Sequence, residues 1–446
     1  MPRRLLLLAL PPLLACSAGD SGAPADCPDV STAYACPDGM TVTSETTRTL
    51  PDATVIPHGP ATIVTGDLEG TGVLQIYVGT GNTVTRLDGD GWATATTMWT
   101  QGDGRGVYPL IADLTGDSVP DLGIGLPGSD HGAGQVIVFA GPITGALTWD
   151  SPHGEFKGTN GLGRDLSTID LNNDGVLDLV AVDDEDIWVK FGPLLSDDPF
   201  DAGSDAVWTS VAGDFDLLGI EDLDGDGAAD LVLERTVWGP DTGCAPDDTR
   251  ALVEDGSGVF VVPGRLDAGR YSLGEASLTL AFPPELWVAQ ALYGDIDGDG
   301  AFDILAIGFD AATPDAMFPE AALYTGPIAA GAEPAARFGV AGRLGGIGDL
   351  DGDGVADLLQ ADWLGLAGGA VPAGEAVLGG PVDELPAYDA DGCGYRVAAL
   401  WTGPTSQWAT TASWFGDLNG DGVGDAILGT DGDDGDGLVQ VVLGGG

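Results

Sequence analysis

Between Gly294 and Gly308 the chain reads GDIDGDGAFDILAIG, which places Asp295, Asp297, Asp299 and Asp303 within nine residues and follows them at once with an apolar run. Carboxylates at positions 1, 3 and 5 of a tight loop turn toward one centre, and glycine at position 6 permits the sharp bend. A backbone carbonyl at position 7 and a carboxylate at position 9 complete a set of hard oxygen donors, the kind that a cation such as Ca²⁺ takes. Side chains are a poor source of the compensating charge, because the chain holds 15 Lys plus Arg against 70 Asp plus Glu.

The nonamer recurs seven times at intervals of about 50–70 residues, the signature of a repeat architecture. The copies are DLEGTGVLQ from Asp67, DLTGDSVPD from Asp113, DLNNDGVLD from Asp170, DLDGDGAAD from Asp222, DIDGDGAFD from Asp295, DLDGDGVAD from Asp349 and DLNGDGVGD from Asp417. The expected metal ligands are Asp113, Thr115, Asp117 and Asp121 in the second copy and Asp170, Asn172, Asp174 and Asp178 in the third. The fourth and fifth supply Asp222, Asp224, Asp226, Asp230, Asp295, Asp297, Asp299 and Asp303. The last two supply Asp349, Asp351, Asp353, Asp357, Asp417, Asn419, Asp421 and Asp425. The second copy has Ser118 where glycine is usual and is the weakest of these six. The first offers only Asp67, Glu69, Thr71 and Gln75; it keeps the turn and has lost the ion. Five to six Ca²⁺ sites are therefore expected. An Asp-Gly turn without metal explains a loop with two acids, since both residues favour turns anyway. It does not explain four convergent acids three times over. An EF-hand needs a bidentate Glu at position 12 and flanking helices. Position 12 of the fourth copy is Leu233, inside an extended apolar stretch, so the loops belong in β-hairpins. The run DGDDGDG at 431–437 is out of register and reads as a hairpin turn.

Strands must hold these loops. A short apolar stretch precedes each one, as in YPLIAD and WVAQALYGD, and a longer one follows, as in DLGIGL and DILAIG. A third often closes on Gly-Pro: QVIVFAGPITG, DIWVKFGPLL, AALYTGPIAAG and VLGGPV. A less regular fourth, such as ALTW or SLTLAF, leads to the next copy. Four strands per repeat make a propeller blade, and the expected fold is an all-β, seven-bladed propeller with calcium-binding hairpin loops. After the seventh loop only AILGT and LVQVVLGGG remain, which with the preceding WFGD leaves the last blade one strand short. The β-branched run Thr41–Thr49 is expected to supply that outer strand and close the ring. The two longest intervals contain insertions, roughly residues 235–257 and 366–396.

These residues resemble the FG-GAP/VCBS repeats of integrin-α-type propellers. DLGIGLPGSDHGAGQVIVFAGP follows that family's strand, turn and G-x-V-x-V-F pattern, and Phe338-Gly339 resembles its FG element. The resemblance covers residues 60–446 and implies Ca²⁺ in the hairpin loops, at the aspartates named above. At the N-terminus, Leu13-Leu14-Ala15-Cys16 ends an apolar run behind Arg3 and Arg4 and resembles the lipobox of bacterial lipoproteins. That likeness implies cleavage before Cys16 and lipidation of it. The chain then divides into a signal peptide (1–15), a tether (16–40) and the propeller (41–446). Four cysteines remain, Cys27, Cys36, Cys244 and Cys393, an even number suited to an oxidising compartment. Three pairings are open; Cys27–Cys36 is the most local, and it leaves Cys244–Cys393.

A formal net charge of −55 opposes nucleic acid or an anionic membrane surface as partner, because phosphate binding needs clustered Lys and Arg. With 43% hydrophobic residues the acidity does not mean disorder, and acids standing in register are more than a halophile's solvated surface. Catalytic material is thin: His58, His131, His153, Lys157 and Lys190 are all the histidine and lysine present, and no G-x-S-x-G occurs in a strand–turn–helix setting. The leading reading is a non-catalytic, calcium-binding, surface-anchored lipoprotein acting in binding or adhesion to a protein or glycan, or in envelope structure. It would be a monomer, touching the membrane through its lipid alone, at the bacterial outer membrane or cell surface. The alternative is a polysaccharide-acting lyase or hydrolase, or a lectin, on the same scaffold. Eleven Trp suit sugar stacking, but Trp188, Trp287 and Trp414 fall within expected strands, where packing is the simpler role.

Overall fold

A computed structural model of the chain describes residues 41–49, 54–57, 62–101, 106–149, 152–158, 160–183, 186–195, 205–209, 214–221, 228–236, 258–262, 264, 267–272, 278–281, 286–310, 320–328, 331–339, 343–361, 372–377, 394–402, 410–431 and 436–444. Cys16, Cys27, Cys36, Cys244 and Cys393, the segments 1–15 and 16–40, and Asp222, Asp224 and Asp226 lie outside the described residues, as does most of 235–257.

The described strands form seven sheets, one per copy of the nonamer. The first contains Thr62–Gly66, Gln75–Gly79, Thr83–Asp88 and Thr94–Thr100. The second contains Tyr108–Ala112, Asp121–Gly125, Gln135–Phe139 and Gly154–Lys157. Asp165–Ile169, Asp178–Val182, Asp186–Lys190 and Ala206–Thr209 make the third. Asp214–Glu221, Asp230–Thr236, Gly258–Val262 and Leu278–Ala281 make the fourth. The fifth is Leu286–Gly294, Asp303–Asp310, Glu320–Tyr324 and Ala336–Gly339. The sixth is Arg343–Gly348, Asp357–Ala361, Pro372–Val377 and Gly394–Thr402. The seventh is Thr410–Gly416, Asp425–Asp431, Asp436–Val442 and, from the other end of the chain, Thr54–Pro57. Five sheets have four strands, and the third and sixth carry a fifth.

The first strand of each sheet lies against that of the next, and Thr410–Gly416 lies against Thr62–Gly66, so the succession returns to its start. This is an all-β propeller. Hydrophobic clusters fill the spaces between neighbouring sheets. Tyr77, Val84 and Trp99 of the first sheet meet Leu122, Ile124 and Ile137 of the second, for example. Second strands such as Asp121–Gly125 and Asp178–Val182 are buried at every residue. A strand covered on both faces has no polar side, which is why these stretches read as continuous apolar runs.

Several expectations need correction. Thr41–Thr49 is a strand, but it pairs in parallel with Gly394–Thr402 of the sixth sheet. The fourth strand of the seventh sheet is Thr54–Pro57, antiparallel to Asp436–Val442. Its Ile56 is buried in the cluster shared by the first and seventh sheets, which selects this short segment over the longer Thr-rich one. The segment ALTW is not a strand. The amide of Leu147 donates to Met98 O and the Trp149 ring packs 5.3 Å from that of Trp99, so the segment lies across the first sheet while Gly154–Lys157 completes the second. In the sixth sheet the third strand is Pro372–Val377, so the stretch 366–396 is in part blade rather than insertion. Trp188, Trp287 and Trp414 do sit in strands, and Trp188 and Trp414 pack against the core clusters.

Candidate metal centres

All seven nonamers join a first strand to a second in one register. The residue before position 1 pairs with position 9: Gly66 with Gln75, Ala112 with Asp121, Ile169 with Asp178, Glu221 with Asp230, Gly294 with Asp303, Gly348 with Asp357 and Gly416 with Asp425. The apolar residue at position 2 is a peg between sheets; Leu68, Leu114, Leu171, Ile296, Leu350 and Leu418 are all buried.

Position 1 folds the loop over itself. Asp349 accepts the amides of Gly352 and Asp353 on Oδ1 and of Gly354 on Oδ2, and Asp417 does the same for Gly420, Asp421 and Gly422. Asp113, Asp170 and Asp295 accept comparable bonds. Position 6 takes a left-handed conformation, with φ near +90° at Gly175, Gly300, Gly354 and Gly422. Ser118 is forced into the same region at φ 68°. An L-residue there costs roughly 1 kcal/mol. Ser118→Gly is therefore expected to raise stability by about 1 kcal/mol, read as the midpoint of urea unfolding.

The fifth and sixth loops bring carboxylates together. One oxygen each from Asp295, Asp297 and Asp303 lie within 4.8 Å of one another, as do oxygens of Asp349, Asp351 and Asp353. Like charges at that range repel by roughly 1–3 kcal/mol per pair near a protein surface. The carboxyl groups respond. Burial, with the charges of Asp299 and Asp295, raises the pKa of Asp297; burial, with Asp353 and Asp349, raises that of Asp351. Hard oxygens so placed fit a divalent cation, which would remove the repulsion. Asp299 belongs to the fifth loop and accepts the amide of Ala301, outside the converging trio. Among the described residues the second, third and seventh loops do not gather three carboxylates this closely. In the third, the Asn172 side-chain amide donates to Asp174 at 3.0 Å, and in the seventh Asn419 accepts from the Asp421 amide. Thr115 and Asp117 stand at positions 3 and 5 of the second loop, where Asp117 accepts from the Val119 amide.

Position 9 binds backbone amides. Asp121 accepts the amides of Leu114 and Thr115 on Oδ2 and of Gly141 on Oδ1, each at 2.8 Å. Asp178 takes Leu171, Asn172 and Gly192, Asp303 takes Ile296, Asp297 and Gly326, and Asp425 takes Leu418, Asn419 and Gly444. Asp230 accepts Gly264, and Asp357 accepts Leu350. These carboxylates are 0–1% exposed. Burial pushes Asp178 up to about 6 against the pull of its three amides, with the charge of Asp174 adding to the rise, and it raises Asp303 likewise. The position-9 aspartate thus clasps the start of its own loop to the end of the third strand. Glycine is required at that strand end: a β-carbon on Gly141, Gly192, Gly264, Gly326 or Gly444 would collide with the position-8 carbonyl of the same sheet. The sequence displayed the recurrent Gly-Pro, but nothing linked it to an aspartate 14–23 residues upstream.

Successive loops also touch. Ala356 and Gly424 donate their amides to Asp295 O and Asp349 O of the preceding loops. The side chains of Val355 and Val423 cover Gly298 and Gly352. The fifth, sixth and seventh loops therefore form one connected belt.

No protein-family model matches the chain, and no curated protein matches it in sequence. Solved structures do resemble it. BBS1N, crystallised in complex with ARL6DN, shares 10% identity at a TM-score of 0.50, over 87% of this chain and 94% of its own. An Agrocybe aegerita lectin described as recognising non-reducing terminal N-acetylglucosamine shares 16% identity at a TM-score of 0.36, over 89% of this chain and 91% of its own. At such identities the likeness to BBS1N extends to the propeller fold and no further.

Proposed function

We propose that the chain is a seven-bladed propeller of the FG-GAP/VCBS kind whose hairpin loops hold Ca²⁺, completed by its N-terminal strand, and that it works as a non-catalytic binding or adhesion module. The observation that carries this reading is the convergence of three carboxylate oxygens within 4.8 Å in two loops of identical register. Calcium there would be structural, held by Asp295, Asp297 and Asp303, and by Asp349, Asp351 and Asp353. It would cancel charge and stiffen the hairpins.

Loops on a rigid ring are a natural place for recognition. A propeller of similar fold is known in complex with a protein, ARL6DN, and this supports a protein ligand for this chain, with a glycan as the alternative. Of the histidines, His153 is occupied with a structural bond between its Nε2 and Leu194 O, 2.7 Å long. We extend the proposal to export, lipidation at Cys16, a monomeric state and residence at a bacterial outer membrane or cell surface; the lipobox and the even count of remaining cysteines support it. Among the described residues no helix is long and apolar enough to cross a membrane.

The test is a glycan array and a surface-protein pull-down with the whole chain, in calcium and in EDTA, beside hydrolysis and elimination assays on the same glycans. Retention that needs calcium, without turnover, is the expected result. Release of cleaved or unsaturated products would replace this reading with the enzyme.

A further inference from the structure

The first loop solves the charge problem by a different route. Asp67 at position 1 accepts the amide and hydroxyl of Thr71 on Oδ1, at 2.9 and 3.2 Å, and the amide of Gly72 on Oδ2. Glu69 at position 3 receives Arg86 Nη1 at 2.5 Å. The Nε of the same guanidinium bonds Asp88 at 2.8 Å. The carbonyl of Val73 at position 7, a cation ligand elsewhere in such loops, receives the Gln75 side-chain amide at 2.7 Å. Gln75 stands at position 9, and its Oε1 is held by Tyr77, the residue paired directly opposite Arg86. Both oxygens of Asp67, Oε1 of Glu69, the Val73 carbonyl and Oε1 of Gln75 are thus each met by an N–H or O–H of the chain. The carboxyl of Asp67 sits below its usual range, since four hydrogen bonds outweigh the burial that works the other way. That is the reverse of Asp297 and Asp351.

We propose that the first loop is a metal-free form of the motif, in which Arg86 and the Gln75 amide supply from within the chain what a cation supplies to the other loops, so that the junction of the first and seventh sheets stays closed when calcium is withdrawn. The inference rests on calcium in the other loops, as proposed above. Its structural consequence follows from position. The first sheet shares one apolar cluster with the seventh through Ile63, Ile76, Val78 and Leu87 against Leu418, Ile427 and Val439, with Ile56 of the completing strand between them. Thr54 of that strand donates its hydroxyl to Trp92 O, in the turn between the third and fourth strands of the first sheet. Arg86 therefore fixes the sheet on which the returning N-terminal strand rests.

Hydrogen exchange of the full-length chain, read by mass spectrometry in calcium and in EDTA, tests this. Peptides spanning 67–75 are expected to exchange at the same rate in both, within about twofold, while those spanning 295–303 and 349–357 exchange about tenfold faster in EDTA. Acceleration of 67–75 equal to that of the other two overturns the proposal. Arg86→Met, which keeps the aliphatic stem, should speed exchange at 67–75 by about tenfold in both buffers and leave 349–357 responsive to calcium. Unchanged exchange at 67–75 in that variant also overturns it. Glu69→Gln, a milder change to the same pair, gives a smaller acceleration of the same segment and decides the matter if Arg86→Met does not fold. If 295–303 and 349–357 ignore EDTA, the calcium reading fails by itself, and the Arg86 and Glu69 variants still judge the first loop.

Discussion

Replacing Asp121 by alanine is expected to destabilise the protein by about 3–5 kcal/mol, with calcium or without it. Three backbone amides, from Leu114, Thr115 and Gly141, converge on this buried carboxylate. Leu114 is buried and Thr115 and Gly141 are half-buried, so water replaces the lost acceptor poorly, and an unsatisfied buried donor costs roughly 1–3 kcal/mol. Asp121→Asn should be only a little milder, because one of its two acceptor atoms becomes an N–H aimed at another N–H. In EDTA, Asp117→Ala, which removes one exposed bond to Val119, should cost under about 1 kcal/mol and serves as the control. Denaturant melts of the three variants, each in calcium and in EDTA, check the claim. A loss for Asp121→Ala that disappears in EDTA would mean that position 9 matters through metal alone, and equal losses for Asp121→Ala and Asp117→Ala in EDTA would mean that the three amides do not depend on it.

The second large effect concerns the cation. Chelation is expected to lower the melting temperature by several degrees. A site with a dissociation constant of roughly 10⁻⁴ M in millimolar calcium adds about 1.4 kcal/mol, and the connected belt of the fifth to seventh loops sums such contributions. The discriminating variant is Asp351→Asn. Asparagine retains an oxygen for the Asp353 amide but drops a charge that the neighbouring carboxylates oppose. In calcium the variant should melt below the wild type. In EDTA it should melt at the same temperature or slightly above, because the repulsion it removes is then uncompensated in the wild type. This exchange of order is hard to obtain from a merely structural aspartate. If Asp351→Asn is the less stable protein in both buffers by the same margin, the loop does not hold an ion.

Much of this was legible in the letters. The hairpin setting of the nonamer, the buried residue at position 2 and the continuous apolar second strands follow from spacing and composition, because a loop pinned at both ends and a strand covered on both faces leave strong patterns. The clasp made by position 9 was not legible. Aspartate is the right letter for a metal ligand and for a clasp on three amides, and Gly141 or Gly264 lies too far along the chain for local pattern to connect. Arg86 was missed for a related reason. Its pairing with Glu69 crosses from the third strand to the loop, and a single arginine in an acidic chain announces nothing until the register sets it opposite Tyr77. Thr41–Thr49 was sent to the wrong sheet because β-branched residues specify strand but not partner. Thr54–Pro57 is four residues long and ends in proline, so it carries little strand signal until Ile56 is seen to be buried.

The two extra strands share a plan. Gly269–Ser272 runs alongside Ala206–Thr209 of the third sheet and is followed by Leu278–Ala281, the outermost strand of the fourth. Thr41–Thr49 runs alongside Gly394–Thr402 and is followed by Thr54–Pro57, the outermost strand of the seventh. In each case a segment is moored to one sheet before the chain finishes the next. For the N-terminal case this acts as a strain relief. Traction applied upstream of residue 41 meets eight paired residues on the sixth sheet before any load reaches the short strand on which the seventh depends. A tugged chain would then yield first at this outer hem, ahead of the ring behind it.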